Sequence, residues 1–540
     1  MRRPTLRGRS MAVALAAASL VAPAAAPSTA AAASDYPSGY RGFHTHAEMT
    51  AAVERIAAAH PGIVEVFSIG ESWQGRALLA AKVSDNVDAD EPEPEAYVDG
   101  LTHGNEPMGL EMTLALFRWL AEGYGSDARI TSIVDRTEVW IVFAVNPDGQ
   151  AYDYGSGVLR NWRKNRQPNA GTTAVGTDLN RNYSYRWGES GSSSSPSSSK
   201  YRGAAAFSAP ETRAVRDFVR SRVIGGRQQI RVAVSFHEFG RFVMWPYAAT
   251  TADRPSDMTV QDRDMLVGLA RRLAGRNGYT AKQASDMYLA SGTTADWLYG
   301  TYRMAAFTIE LSAVDYPRDT AIATETGRNR DAILYLLERA WCPMAVLGTA
   351  VRDARCGAFD DDLEVARGWT RDPDGTDTAV TAAAGAFGRG NPAGTSGGGV
   401  VLQPDAVPSG RYAYVTGLPA GSNRRSYDLD GRTTVRSPLV TLPATAGQRL
   451  TFRWFLAHGA DATAADGVRA LVETADGSTT ELWRRTGSAT LRAGTWSSAS
   501  VALDPWAGQP IRIRFEAVDA DGASLVEAGV DDVRVTRPSG

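Results

Sequence analysis

The stretch LTHGNEPMG, residues 101–109, sets a histidine and a glutamate three residues apart, beside a glycine and a proline. It follows the apolar-leaning EAYVDG and precedes the helical pattern GLEMTLALFRWLAEGY (109–124). His103 and Glu106 therefore stand on a strand-to-helix turn, with the helix opening at Pro107, and both side chains can converge there. Alone, such a pair is more often an ordinary polar loop than half of a metal site. A hydrolytic zinc site needs three N or O ligands and one open position for water, so a third ligand must come from elsewhere in the chain. The chain has six histidines. His44, His46 and His60 lie in the first loop and helix, and His458 lies in a β-rich C-terminal region. That leaves His237, at the end of the strand-like VAVSFHEFG, where a sheet-edge ligand belongs. By itself His237 reads as a core or rim histidine.

The elements that must position these residues can be read from periodicity. Between about residues 40 and 340, helical patterns (46–60, 109–124, 211–223, 262–276, 329–341) alternate with β-rich runs (138–145, 230–236, 242–247, 304–311). Such alternation predicts an α/β domain around a mixed, mostly parallel sheet flanked by helices. In these sheets sites gather at the carboxyl ends of strands. After Cys356 helical periodicity stops. Gly, Thr, Ala and Asp dominate, and strands such as 448–458, 468–475 and 511–519 are separated by turn-like pairs, which predicts an all-β jelly roll or sandwich. The expected division is residues 1–33 as a signal peptide, 34–345 as an α/β domain, 346–358 as a connector and 359–540 as the β domain.

The bulk properties limit what such a molecule does. At 540 residues the chain is too long for one core. Its 43% apolar and 22% charged content is that of a globular protein. A formal net charge of −3 offers no basic face for nucleic acid. The N-terminus has arginines at 2, 3, 7 and 9, then an Ala/Val/Leu run and small residues. That is a secretory leader, with cleavage expected near Ala33, and no later stretch reads as a membrane span. Export favours a disulfide between the two cysteines, Cys342 and Cys356.

From about Tyr36 to Trp341 the chain resembles the zinc carboxypeptidases of the A, B and T type, through motifs in order and at similar separations. HGNE matches the His-x-x-Glu ligand pair, RNWRKNR (160–166) the Trp-Arg-Lys-x-Arg segment, and GTDLNRNY (176–183) the Asn-Arg-Asn loop. SSSSPSSSKYRG resembles the family's Ser-Pro loop. The stretch 188–200 is therefore read as a surface loop inside one domain, although its composition is that of a linker. SFHEF matches the second-histidine strand, DMYLASGTTADW (286–297) the mobile tyrosine loop, and FTIEL (307–311) the strand with the catalytic glutamate.

The resemblance implies zinc held by His103, Glu106 and His237, with Glu310 as general base and Arg163 stabilising the oxyanion. It implies that Asn180 and Arg181 clamp a free C-terminal carboxylate, that Tyr288 closes over it, and that Arg160 helps bring substrate in. The implied side-chain pocket is lined by Met244, Ala248, Met287, Ala290, Thr293, Ala295 and Thr308. With neither Thr293 nor Ala295 acidic or basic, large apolar and aromatic C-terminal residues are the expected substrates, unless Asp296 turns inward. Glu238 stands where relatives commonly have a small residue. Almost no chain separates Ala33 from the α/β domain, so no long inhibitory pro-segment is expected. Acidic stretches at 84–95 and at both ends of the β domain are read as solvated turns, with a bound Ca²⁺ as the alternative. An amidase or peptidoglycan-type peptidase on the same fold is the competing activity, and a non-catalytic binding protein the third. The expected partner is a peptide or protein substrate, with no nucleic acid, no membrane and a monomeric state.

Overall fold

Runs such as EVWIVFAV and FTIEL are apolar along every residue, and strands of that kind need cover on both faces. The computed structural model provides it. It describes residues 41–90, 93–155, 157–224, 227–364, 366, 368–397, 399–419, 427–520 and 524–536, so the expected leader lies outside the described residues. An eight-stranded sheet is built from β1 (Val64–Glu71), β2 (Ala77–Val83), β3 (Glu95–Gly100), β4 (Glu138–Val142), β5 (Ile230–Glu238), β6 (Phe242–Trp245), β7 (Thr280–Gln283) and β8 (Ala305–Leu311). The spatial order is β1-β2-β4-β3-β5-β8-β6-β7. β4, β3, β5 and β8 run parallel to their neighbours in that sequence, as do β6 and β7. The remaining pairs are antiparallel.

Helices cover both sides: α1 (His46–Ala59), α2 (Met108–Gly123), α3 (Ala128–Val134), α4 (Pro147–Tyr154), α5 (Pro210–Ser221), α6 (Val260–Asn277), α7 (Thr294–Tyr302) and α8 (Ile322–Leu337). Their limits follow local chemistry. Thr45 and Glu48 form a reciprocal capping box at the start of α1. Thr259 caps α6, which ends at Gly278 in the left-handed region. α8 begins seven residues earlier than the expected 329. Its first turns carry polar side chains that are buried all the same, because Glu325 pairs with Arg241 and accepts from the Tyr279 hydroxyl at 3.1 Å. It ends at Leu337, short of the expected 341, where the chain tightens into turns leading to Cys342.

What matters most for the site is the central trio β3, β5 and β8. Being parallel, they end on the same edge of the sheet. Register sets Gly100 beside Phe236 and Glu310 beside His237. α2 begins hard against that edge. A Cβ on Gly109 would lie 2.9 Å from both the Leu101 nitrogen and the Phe236 carbonyl oxygen. Only glycine lets the helix dock this closely on the strand ends.

The C-terminal part, as expected, is almost entirely antiparallel β structure. One sheet is centred on Val526–Thr536 and Arg449–His458, the other on Pro510–Asp519 and Gly467–Thr474. Inward-facing side chains such as Phe452, Phe515, Val530 and Val533 form a core separate from that of the α/β part. Between the two lies α9 (Thr349–Cys356), so the connector is partly helical. Cys342 and Cys356 are bonded, 14 residues apart. Arg136 pairs with Asp362 across the join at 2.5 Å. Among the described residues no helix is long and apolar enough to cross a membrane.

The disulfide closes its loop at the point where the chain passes from one core to the other. Replacing both cysteines with serine should lower stability by roughly 3 kcal/mol on loop-entropy grounds. Urea unfolding of the oxidised protein and the double variant checks this, and equal midpoints would refute it.

Candidate active site

The chain leaves β3 through Leu101, whose backbone is left-handed at φ 54°, and turns through His103 and Glu106 into α2. β5 delivers His237 to the same point. His103 Nδ1 lies 2.7 Å from Glu106 Oε1, His237 Nδ1 lies 2.9 Å from Glu106 Oε2, and the two Nδ1 atoms are 3.1 Å apart. All three residues are buried. Among the described residues this is the one group of His, Cys, Asp or Glu whose ligand atoms lie close enough together to hold a metal ion. The donors fit zinc: two imidazole nitrogens and one carboxylate oxygen, at separations compatible with bonds of about 2 Å to a common centre. Each imidazole's other nitrogen is also engaged. His103 Nε2 is 3.1 Å from Asp178, and His237 Nε2 is 3.2 Å from the Ser235 hydroxyl, which donates to Asp99 at 2.5 Å. Such outer partners fix the ring orientation of ligating histidines.

Electrostatics follow from this crowding. Burial pushes the Glu106 carboxyl up, but His103 and His237 outweigh it and hold it well below the usual range. Asp178, also buried, is held well below its usual value by Arg163, Arg181 and His103. Burial lowers His237. Glu310, beside His237 on β8, goes the other way. Burial and then the Glu106 charge raise it well above the carboxylate range, against the pull of Arg163, Arg181 and Lys282. Its Oε2 is buried without a hydrogen-bond partner. Glu238 is likewise raised by burial and by the neighbouring acids Glu106, Asp315 and Glu310.

Arg163 is aimed by two acceptors: its Nε donates to Asp178 at 3.2 Å and its Nη1 to Glu106 at 3.1 Å. Arg181 is 1% exposed, and its Nε and Nη1 donate to the carbonyls of Gly191 and Asn180 at 3.1 and 2.7 Å. Asn180 accepts from the Thr294 N–H at 2.9 Å, and its Nδ2 is 3.5 Å from His237 Nε2. Tyr288 is exposed, with its ring 5.8 Å from the Arg181 guanidinium carbon and 5.2 Å from Lys200 Nζ. The serine-rich loop belongs here too. Gly191, at φ 83°, sits so tightly under Leu289 that a Cβ would come within 1.8 Å of the Leu289 carbonyl oxygen. Ser291 Oγ donates to the Glu189 carbonyl at 2.9 Å.

The expected pocket residues are brought together in part by the sheet. Met244 pairs with Thr308, and the Ala290 N–H donates to the Ala248 carbonyl at 3.0 Å. Thr293 caps α7, the helix that carries Ala295, and Met287 lies in the turn before Tyr288. Asp296 is buried, and its oxygens accept the backbone N–H groups of Ala248 and Ala249 at 2.9–3.0 Å. Arg160 stands apart. It is exposed, its guanidinium donates to the Tyr152 carbonyl and stacks on the Tyr152 ring at 4.5 Å. Nearby, a cavity of about 500 Å³ is lined by Tyr152, Trp162, Arg163, Lys164, Arg166 and the serine-rich loop.

Residues 49–332 match the zinc carboxypeptidase family. A zinc carboxypeptidase from Saccharothrix mutabilis subsp. capreolus is 40% identical over 58% of this chain and 73% of its own length. One from Simulium vittatum is 34% identical over 51% of this chain and 86% of its own. The crystal structure of thrombin activatable fibrinolysis inhibitor superposes with a TM-score of 0.51, at 27% identity, over 56% of this chain and 76% of that one. The chain belongs to the zinc carboxypeptidase family, and it is a peptide hydrolase.

Sequence reading overlooked Asp178, Ser235 and Asp99. Asp178 did leave a signal, since an Asp two residues before Asn180 is a turn cap, and it accepts the Asn180 N–H at 3.0 Å. Asp178→Asn should reduce zinc affinity about 10- to 100-fold, the usual cost of losing an outer partner. Competition with a chromogenic chelator measures this, and unchanged affinity would detach Asp178 from the cluster.

Proposed function

We propose that this chain is a secreted metallocarboxypeptidase that removes large apolar and aromatic residues from the C-termini of peptides and proteins. The observation that carries the reading is a buried three-donor cluster with an unpartnered carboxylate, Glu310, on one side and a buried guanidinium, Arg181, on another. His103, Glu106 and His237 would hold zinc. Zinc in such a site polarises a carbonyl and lowers the pKa of water towards about 7. Glu310 has no hydrogen-bond partner on Oε2 to surrender, so it is free to take the proton of the attacking water and hand it to the leaving amine. Arg163, held in place by Asp178 and Glu106, donates to the oxygen on which charge develops.

Arg181 is suited to recognise a chain end. Its backbone carbonyl partners use Nε and Nη1, and the rest of the planar fork can engage a carboxylate in a charge-assisted pair. Asn180 flanks it, and Tyr288, exposed and with its ring 5.8 Å from the Arg181 guanidinium carbon, would close over the bound terminus. An amidase or peptidoglycan-type peptidase is less well supported, because the buried clamp would still demand a free carboxylate. The pocket reading rests on charge. Asp296 holds the backbone of the Ala248 loop, and neither Thr293 nor Ala295 supplies a counter-ion. A desolvated Lys or Arg head group there would cost several kcal/mol, whereas Met244 and Met287 give adaptable apolar walls. We take residues 34–345 as the catalytic domain of a monomer and 359–540 as an accessory module, exported behind the leader at 1–33.

Glu310→Gln keeps the shape but cannot accept a proton. Zinc content should be unchanged while kcat falls by at least ~10²-fold, and a kcat like that of the parent would move the base elsewhere. The substrate assay uses blocked dipeptides ending in Phe, Leu, Tyr, Met, Arg, Lys, Glu or Pro, as free acids and amides, with and without a chelator. Free acids ending in Phe or Leu should be cleaved fastest, amides and acidic or Pro termini poorly, and nothing in chelator. Equal kcat/KM for Arg and Phe would show the pocket to be charged, and equal cleavage of amides would remove the clamp.

A further inference from the structure

β5 does not stop at His237. It continues to Glu238, a buried glutamate directly after one of the three clustered residues. On the other side of the cluster, α2 starts at Met108 behind Pro107, which has no side-chain acceptor to offer, and no side-chain cap bond forms there. The Met108 N–H is one of the donors that a helix leaves without an internal partner. Glu238 Oε1 accepts it, across 130 residues of sequence. Glu238 also donates its own N–H to Glu106 Oε2 at 3.2 Å, the oxygen that faces His237 Nδ1.

The two bonds close a ring. It runs from the Glu106 carboxylate along the main chain to Met108, across to the Glu238 carboxyl, through Glu238 to its N–H, and back to Glu106. We propose that Glu238 is a positioning residue that fastens the turn carrying His103 and Glu106 to the strand carrying His237, and so governs how tightly the site retains zinc. This rests on reading those three residues as the zinc ligands. The bond depends on length. A serine, alanine or aspartate side chain is too short to follow the same path to the Met108 N–H, while glutamine has the same reach and the same accepting oxygen. Without the link, the Met108 N–H is buried unpaired, and what still joins the two halves of the site is the sheet, the Glu238 N–H on Glu106 and the contact between His237 and Glu106 themselves.

The test uses the full-length zinc-loaded protein with Glu238→Ala, Glu238→Asp and Glu238→Gln, and His103→Ala as a control. Zinc transfer to a chromogenic chelator is followed in time, with kcat and KM measured in excess zinc. Glu238→Ala and Glu238→Asp should lose zinc about 10- to 100-fold faster, and Glu238→Gln at close to the parent rate. In excess zinc all three should regain the parent KM. Parent-like zinc loss in the Ala and Asp variants would overturn the proposal. So would loss from Gln as fast as from Asp, or a raised KM at saturating zinc, which would put Glu238 against substrate instead. If the Ala variant does not fold, the contrast between Asp and Gln decides. Stoichiometric zinc in His103→Ala would show that the ligand assignment has failed, separately from the role of Glu238.

Discussion

A carboxylate withdrawn from water must be surrounded by groups that replace its hydration, and the burial of Glu106 imposes that demand on the whole α/β part. Two imidazoles, one guanidinium and one backbone N–H meet its two oxygens. They come from three places in the chain: the turn at His103, the segment at Arg163, and the end of β5, which gives both His237 and the Glu238 N–H. Their convergence fixes the depth at which α2 begins, the register between β3 and β5, and the path of the segment around Arg163. Asp178 repeats the pattern one layer out, taking His103 and Arg163 and lying 4.0 Å from Arg181. Acids and bases thus alternate outward from the centre, with Glu106 and Asp178 each set against histidine and arginine.

Glu310 is held differently. Its Oε2 has no protein partner, and it lies near another carboxylate, a placement that costs stability and is tolerated where the strain serves a purpose. The sheet makes this arrangement possible at low conformational cost. Glu310 and His237 are register partners on adjacent parallel strands with all of β8 buried, so neither side chain needs a flexible loop to reach the site. Rigid strands supply His237 and the base, and the turn between β3 and α2 supplies His103 and Glu106, whereas the groups expected to meet the chain end sit on turns away from the central strands.

Much of this was legible in the sequence because the ligand-bearing segments are short and local. The turn at His103 and Glu106, the strand end at His237 and the strand around Glu310 all fall where periodicity and punctuation place them. So does the change to β structure after Cys356, with its strands correct to within a residue or two at 449–458 and 510–519. The signal weakened where burial and polarity disagree. α8 starts in a polar segment that is nonetheless covered, and β7 is four residues long with a lysine and a glutamine in it. Arg160 shows a different limit. A basic segment announces charge but not direction, and its guanidinium turns to Tyr152. Ser235 and Asp99 were not visible, and Asp178 showed only as a turn cap, because a supporting contact depends on the fold having closed.

The tight seat of Gly191 beneath Leu289 bears on how this protein can drift. By composition the stretch 188–200 is the most permissive in the α/β part, yet its backbone is keyed to the tyrosine loop and, through the Gly191 carbonyl, to the Arg181 guanidinium. Substitutions among its exposed serines can accumulate freely. A deletion or insertion upstream of Gly191 shifts the one residue that fits there and pulls the guanidinium out of line. Spelling in this loop is cheap to change, and spacing is not. A comparison of residue identities alone would therefore rank as dispensable a segment whose spacing the fold constrains.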